Sequence, residues 1–282
     1  MNRPLVAIDL AITLSALLLG GCAHAPRAES DLQQLTTALR SRPVVLLGEV
    51  HDNAGQHELR AQALRALLEG GARPALLMEQ FDREGQVDLD RVLARPGATV
   101  DDVIAAAAPD AGAMQGWTWS FYRPYVALAL DYHLPIVAAN VSRADARRVI
   151  QGGLPSLGFD AAVPADIAVA QAQVIVAGHC GMLDATQARR MVGAQVARDQ
   201  FMARMLEANA SRGAVLLAGN GHVRRDVGVP RWLSETTRER SVSIGLLEEG
   251  DASRKAFDLT LTTAPQSRPD PCEAMRAATP KR

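Results

Sequence analysis

The stretch PVVLLGEVH at residues 43–51 decides the fold, and VLLAGNGH at residues 215–222 repeats its design. In each, a short run of Val and Leu stops at a Gly, and a His follows three positions later: Gly48 then His51, Gly219 then His222. Apolar runs of this length, without polar alternation, read as strands buried on both faces of a parallel sheet covered by helices. Each His then stands where its strand ends, on the edge where open α/β sheets gather their loops and bind ligands. His51 and His222 are therefore candidates for one site, although most of the chain separates them.

Working outward, Asp52, Asn53 and Ala54 start a helix that runs to about Glu69, with Leu59, Ala63, Leu64, Leu67 and Leu68 as its apolar stripe and Gly70-Gly71 as its stop. PALLMEQF at residues 74–81 is the next strand. Strand, helix and strand form a βαβ unit, which predicts two parallel neighbours and brings Glu79 beside Glu49 and His51. Short helices are expected at 87–93 and 100–108, and an aromatic helix follows in GWTWSFYRPYVALALD at 116–131, with Pro124 in its first turn. A strand at 134–139, a helix at 142–150 and a Gly- and Pro-rich loop at 152–164 come next, and 166–177 reads equally as helix or strand. The longest helix is expected at 186–209, the strand at 215–218 follows, and 241–246 and 256–261 read as strands added at a sheet edge. The fold class is α/β: a mostly parallel sheet covered by helices, with a helical insertion and added edge strands near the C-terminus.

Residues 1–21 stand apart. A basic Arg3, an apolar run and the ending Leu19-Gly20-Gly21 before Cys22 have the parts of an export signal, and the run is short for a membrane span. The ending resembles a bacterial lipobox, which implies cleavage before Cys22 and lipidation of that Cys. Ala23 after the Cys points to the outer membrane under enterobacteria-like sorting. Residues 22–40 are then a tether and a lead-in helix, 41–264 a single α/β domain, and 265–282 a loose tail. The net charge of −1 argues against a nucleic-acid partner. With Cys22 used by the signal, Cys180 and Cys272 are either a pair in an oxidising compartment or two separate thiols.

The polar residues at the strand ends suggest two chemistries. His51, His57, Glu79 and His222 are imidazole and carboxylate donors of the kind that hold a divalent transition metal with one position open. Under that reading Glu49 or Glu79 is the base of a metal-dependent hydrolase acting on an amide or ester bond, and Arg224 binds a substrate carboxylate. The other concentration is aromatic. In a chain with only 4% aromatic residues, Trp117, Tyr122 and Tyr125 stand close enough to line a planar ligand, or simply to pack a core. His179 and Met182 are iron-ligand types within a turn whose glycines a helix-to-helix connection needs in any case. There is no GxGxxG, no GxxxxGK and no GxSxG after a strand.

These pieces together resemble the ChaN-like haem-binding uptake family, within the broader Tiki/TraB-like group. The resemblance is carried by LLGEVHD at 46–52 with His57, LLMEQFDR at 76–83, WTWSFYRPY at 117–125, LPIVAAN at 134–140, GHCGML at 178–183, AQVARDQFMA at 194–203 and LLAGNGHVRRDVGVP at 216–230. It implies a haem- or iron-handling outer-membrane lipoprotein that takes haem, forms a homodimer in some members and works with an outer-membrane haem receptor. The broader group's metal-dependent proteases, with two GxxH motifs and a Glu, map onto His51, Glu79 and His222. Tyr122 is the iron ligand favoured on this resemblance, with His179 as its rival. An envelope scaffold that uses neither site is the remaining reading.

Overall fold

The computed structural model describes residues 25–108 and 116–278, so Cys22 and the signal at 1–21 lie outside the described residues. Helix α1 spans Ala25–Ser41, β1 Val44–Leu47, α2 Ala54–Glu69, β2 Ala75–Asp82, α3 Gln86–Leu93, α4 Val100–Ala107, α5 Trp119–Asp131 and β3 Ile136–Asn140. The second half continues with α6 Arg143–Gly152, α7 Ala165–Gly178, α8 Ala185–Asn209, β4 Ala214–Leu217, the one-turn α9 Asn220–Val223, α10 Glu235–Glu239, β5 Ser241–Glu248, β6 Leu259–Thr263 and α11 Pro271–Ala278.

All six strands are parallel, in the order β3-β2-β4-β1-β5-β6. The apolar run of β1 explains its central place. Val45 and Leu47 join a core under α1, α2, α4 and α5, while Val44 and Leu46 join the core on the opposite face under α8. All four are at most 1% exposed, each contributing about 1.5–3 kcal/mol of burial. β4 divides itself in the same way, Val215 and Leu217 to one face, Ala214 and Leu216 to the other. A third apolar group fastens the α6, α7 and α8 insertion through Val149, Phe159, Ile175 and Val196.

The strand order corrects one expectation. β1 and β2 are not neighbours: β4 lies between them, pairing Leu46 with Leu216 and Leu77 with Leu216. A βαβ crossover leaves room for one more strand, and the doubly apolar β4 fills the space that buries it best. Residues 165–178 resolve as helix. The helix before β1 begins at Ala25, inside the stretch read as tether. α5 begins at Trp119, so Pro124 lies within the helix rather than in its first turn.

The tail at 265–282 is also not loose where it is described. Arg268 binds Asp52 at 2.7 and 2.8 Å and Glu248 at 2.9 and 2.7 Å, and Cys272 forms a disulfide with Cys180. The arginine, by its hydrogen bonds and charge, holds the Glu248 carboxyl at about 2. Composition rich in Pro, Ala and charge conceals these fastenings, because both reach across the sequence.

Candidate functional site

The carboxyl ends of β1, β2, β3 and β4 open into a cleft of about 1390 Å³, lined among others by His51, Glu79, Trp117, Asn140 and His222. Two carboxylates organise its floor, and each is held differently. Glu49, 2% exposed, follows β1 directly. It accepts a hydrogen bond from the Tyr122 hydroxyl at 2.6 Å and lies 2.9 Å from His51 Nδ1, and it pairs with the fully buried Arg60. Arg60 comes from the inner face of α2 and also donates to the Leu47 carbonyl at 3.0 Å. A buried guanidinium beside a buried carboxylate is a costly pair to break, because either partner alone is an uncompensated charge.

Glu79 ends the apolar run of β2, where the pairing with β3 loses register between Met78 and Asp82. A bulge at this point re-aims side chains and lets both Glu79 and Gln80 line the cleft. Glu79 accepts from the Gly219 amide at 2.7 Å and stands 3.4 Å from His222 Nε2. His222 Nδ1 is 2.6 Å from Asp199, a fully buried carboxylate on α8. Burial alone would push the Glu79 carboxyl up, but the His222 charge and hydrogen bond outweigh it and hold it at about 2. His222 is desolvated too, yet its two carboxylates raise it to about 10, so an imidazolium sits between them. Burial pushes the Asp199 carboxyl up.

Gly219 joins the two halves. A Cβ there would lie 2.7 Å from His51 Cε1 and 2.8 Å from Nε2, so the His51 ring occupies the space that glycine leaves. Glu79 thus comes near His51 across β4 and not by direct strand adjacency. Gly48 is constrained likewise, its absent Cβ leaving room for Asn220 at 2.3 Å and Val223 at 2.7 Å.

These bonds decide how the expected metal donors fit an ion. His222 has both ring nitrogens turned to carboxylates, and Glu49 is saturated by Arg60, Tyr122 and His51. His57 is buried, its proton affinity lowered by desolvation, and its Nε2–H donates to the His51 carbonyl at 3.0 Å. Among the described residues no three His, Cys, Asp or Glu groups are placed to share an ion. Of the expected donors only His51 keeps a ring nitrogen free, so as placed they do not converge on an ion. His57 acts instead on the backbone of His51, and its ring stacks on Phe121 at 4.6 Å.

Three further residues differ from their expected roles. Tyr122 has no exposed surface, its hydroxyl donates to Glu49, and burial pushes its phenol above the usual 10. The phenol is thus enclosed by the fold, and burial works against the ionised form that would bind iron. Tyr125 is equally buried and donates to the His57 carbonyl at 3.0 Å, so the aromatic segment packs the β1–α2 connection rather than walling a planar ligand. Trp117 meets His51 edge-on at 4.9 Å and reaches the cleft. Arg224 is engaged by Asp226 at 2.9 and 2.6 Å and does not line the cleft. Arg83, Arg143, Arg147, Arg148 and Arg198 line it instead. The sequence offered a sign of this in SRADARR after β3, since the same strand-end logic that marks His51 applies there.

A different surface lies on the hairpin of α7 and α8. His179 caps α7, and its Nδ1–H donates to the Ile175 carbonyl at 2.7 Å, leaving Nε2 as the basic nitrogen of a half-buried ring. Of the five large apolar side chains exposed among the described residues, Val169, Val174 and Met182 belong to this hairpin. Cys180, with φ of 58°, and Gly181 at 70° form the turn, tied by the disulfide to the tail.

Comparison with known proteins places this architecture. No curated protein matches the chain. The ChaN protein of Campylobacter jejuni, solved in a study of cofacial haem binding, superposes with a TM-score of 0.67 at 20% identity, covering 82% of this chain and 89% of that one. The type III effector HopBA1 gives 0.49 at 12% identity over 84% of this chain and 94% of that one, and an erythromycin esterase mutant in its open conformation 0.45 at 15% over 77% and 73%. The sequence profile described as haem-binding uptake, Tiki superfamily, ChaN matches residues 35–233. On that match over most of its length, the chain belongs to the ChaN family of haem-binding uptake proteins.

Proposed function

We propose that this protein binds haem as cargo in the cell envelope and that the α7–α8 hairpin is where it does so. The observation that carries the reading is His179: one ring nitrogen is fixed on the Ile175 carbonyl, which leaves Nε2 as the lone-pair nitrogen, on a hairpin that also exposes Val174 and Met182. Porphyrin needs an apolar face and its iron an axial donor, and neutral imidazole is such a donor once its tautomer is set. His179 would donate to the iron, Val174 and Met182 would offer apolar contact to the porphyrin, and the disulfide between Cys180 and Cys272 ties the turn to the tail. An apolar face of this kind is also suited to a second copy of the chain, so haem shared between two subunits is part of the proposal.

The lipid anchor at Cys22, the outer-membrane location and an outer-membrane haem receptor as partner complete the proposal. Among the described residues no helix is long and apolar enough to cross a membrane. A disulfide is at home in an oxidising compartment, which supports export. The test is titration of the haem-free protein with haemin, followed at the Soret band. Saturable binding that His179→Ala weakens and Tyr122→Phe leaves unchanged is the expected outcome; an unaltered spectrum and affinity in His179→Ala would reject the hairpin as the site.

A further inference from the structure

We propose that the cleft at the carboxyl edge of the sheet is a second, separate site, in which His51 acts as a general base that hydrolyses small carboxylic esters carrying an anionic group. His51 Nδ1 is 2.9 Å from Glu49, so its proton points to the carboxylate and Nε2 is the free basic nitrogen. The ring is held three ways: by Glu49, by His57 on its backbone carbonyl and by Trp117 against its edge. Its side chain nevertheless remains 47% exposed and lines the cleft. An imidazole oriented by a buried carboxylate and opening onto a cavity is the arrangement general-base chemistry requires.

Gln80 supplies an independent sign of a ligand. It is 2% exposed and lines the cleft beside Glu79; its amide N–H meets the Tyr122 hydroxyl, while its amide oxygen has no hydrogen-bond partner among the described residues. A buried unpaired amide oxygen is costly unless something enters to donate to it. The chemistry of the rim names the ligand's charge. Arg83 and Arg148 are paired with Asp145, but Arg143 and Arg147 on α6 make no ion pair with any described residue and face the same cavity.

The step balances with water as the only co-reactant. His51 Nε2 takes a proton from a water whose oxygen bonds to the acyl carbon, while the carbonyl π electrons move to oxygen, where the other Gln80 N–H can donate. Collapse of this adduct breaks the acyl carbon–oxygen bond to the alcohol, which leaves with the proton held on His51. Ester and water become acid and alcohol, nothing is oxidised or reduced, and Glu49 stabilises the transient imidazolium. Arg143 and Arg147 hold the anionic group of the substrate.

The test uses the full chain, haem-free, with 4-nitrophenyl hemisuccinate as anionic probe and 4-nitrophenyl acetate as neutral probe. Saturable hydrolysis favouring the hemisuccinate is expected. His51→Asn should lower kcat/KM by about 100-fold or more, and Arg143→Ala with Arg147→Ala should raise KM for the hemisuccinate by about 10-fold while sparing the acetate reaction. Gln80→Leu should reduce kcat with little change in KM. A rate no greater than buffer, no preference for the anionic ester, or wild-type turnover in His51→Asn overturns the proposal. Haem titration of His51→Asn gives the separation from the hairpin: unchanged binding is expected, and a parallel loss would mean that there is one site and not two.

Discussion

The cleft and the hairpin solve opposite problems with the same kinds of side chain. In the cleft, His51 apart, the histidine and carboxylates are buried and already bonded to one another, so the chemistry of His222, Glu79 and Glu49 is largely fixed before any ligand arrives. On the hairpin, His179 is bonded to the Ile175 carbonyl, and the same hairpin carries apolar side chains left in water. A His is thus not a ligand by virtue of being a His. What decides is whether its second nitrogen is spoken for, and that is a property of the surrounding fold.

The largest expected effect breaks the cleft's side of this contrast. Arg60→Met leaves Glu49 as a buried charge without its counter-ion and should cost about 3–5 kcal/mol in urea unfolding. The corresponding change on the hairpin, His179→Ala, should alter unfolding by less than about 0.5 kcal/mol, while acting strongly on haem affinity. A next, intermediate effect comes from Tyr122→Phe, which removes the hydroxyl bonded to Glu49 and should destabilise by about 1–3 kcal/mol. Equal sensitivity of the two regions in these measurements would erase the distinction.

Changes of pH sharpen the same contrast. Glu79 is lowered in the folded state from 4.5 to about 2, so its contribution is complete above 4.5 and disappears as pH falls toward 2. His222 is raised from 6.5 to about 10, so its contribution is complete below 6.5 and is lost as pH rises toward 10. Asp199, pushed up by burial from 3.8, acts in the same direction, its contribution being lost as pH rises above 3.8 through its folded value. Thermal midpoints should therefore be highest between 4.5 and 6.5 and fall at pH 9, whereas His222→Gln should flatten the alkaline slope. An unchanged slope in that variant would show that the imidazolium is not its source.

Two further effects are positional. Gly219→Ala places a methyl where the His51 ring lies and should displace that ring, visible as a shifted His51 imidazole resonance, with a stability loss of about 1–3 kcal/mol. Reduction of the disulfide should leave global unfolding two-state but raise amide exchange in residues 178–182, and only there and in the tail.

Much of this organisation was legible in the sequence, and the failures share a cause. The runs VVLL and AVLL show their strands because apolar density is local information, and the two histidines are placed by where those runs stop. The position of β4 between β1 and β2 was not readable, since pairing partners are chosen by burial across the whole sheet. Arg60 and Asp199 escaped notice because a charged residue on a helix ordinarily faces water, and only tertiary packing turns these two inward. The surroundings of Tyr122 were not readable for the complementary reason. An aromatic residue in an aromatic-poor chain attracts attention as a ligand, yet the space between α5 and the sheet needed its bulk, and Glu49 needed its hydroxyl.

The central place of β4 has a consequence for the order in which the molecule can assemble. β1 and β2 are complete by residue 82, but each must wait for residues 214–217 to gain the neighbour they share. Until then the first half has no finished sheet and no seat for His51, because Gly219 has not been delivered. Contacts closed over so long a span slow folding and keep apolar edges open meanwhile. No stable partial structure forms before then, and the sheet closes only when the second half has followed.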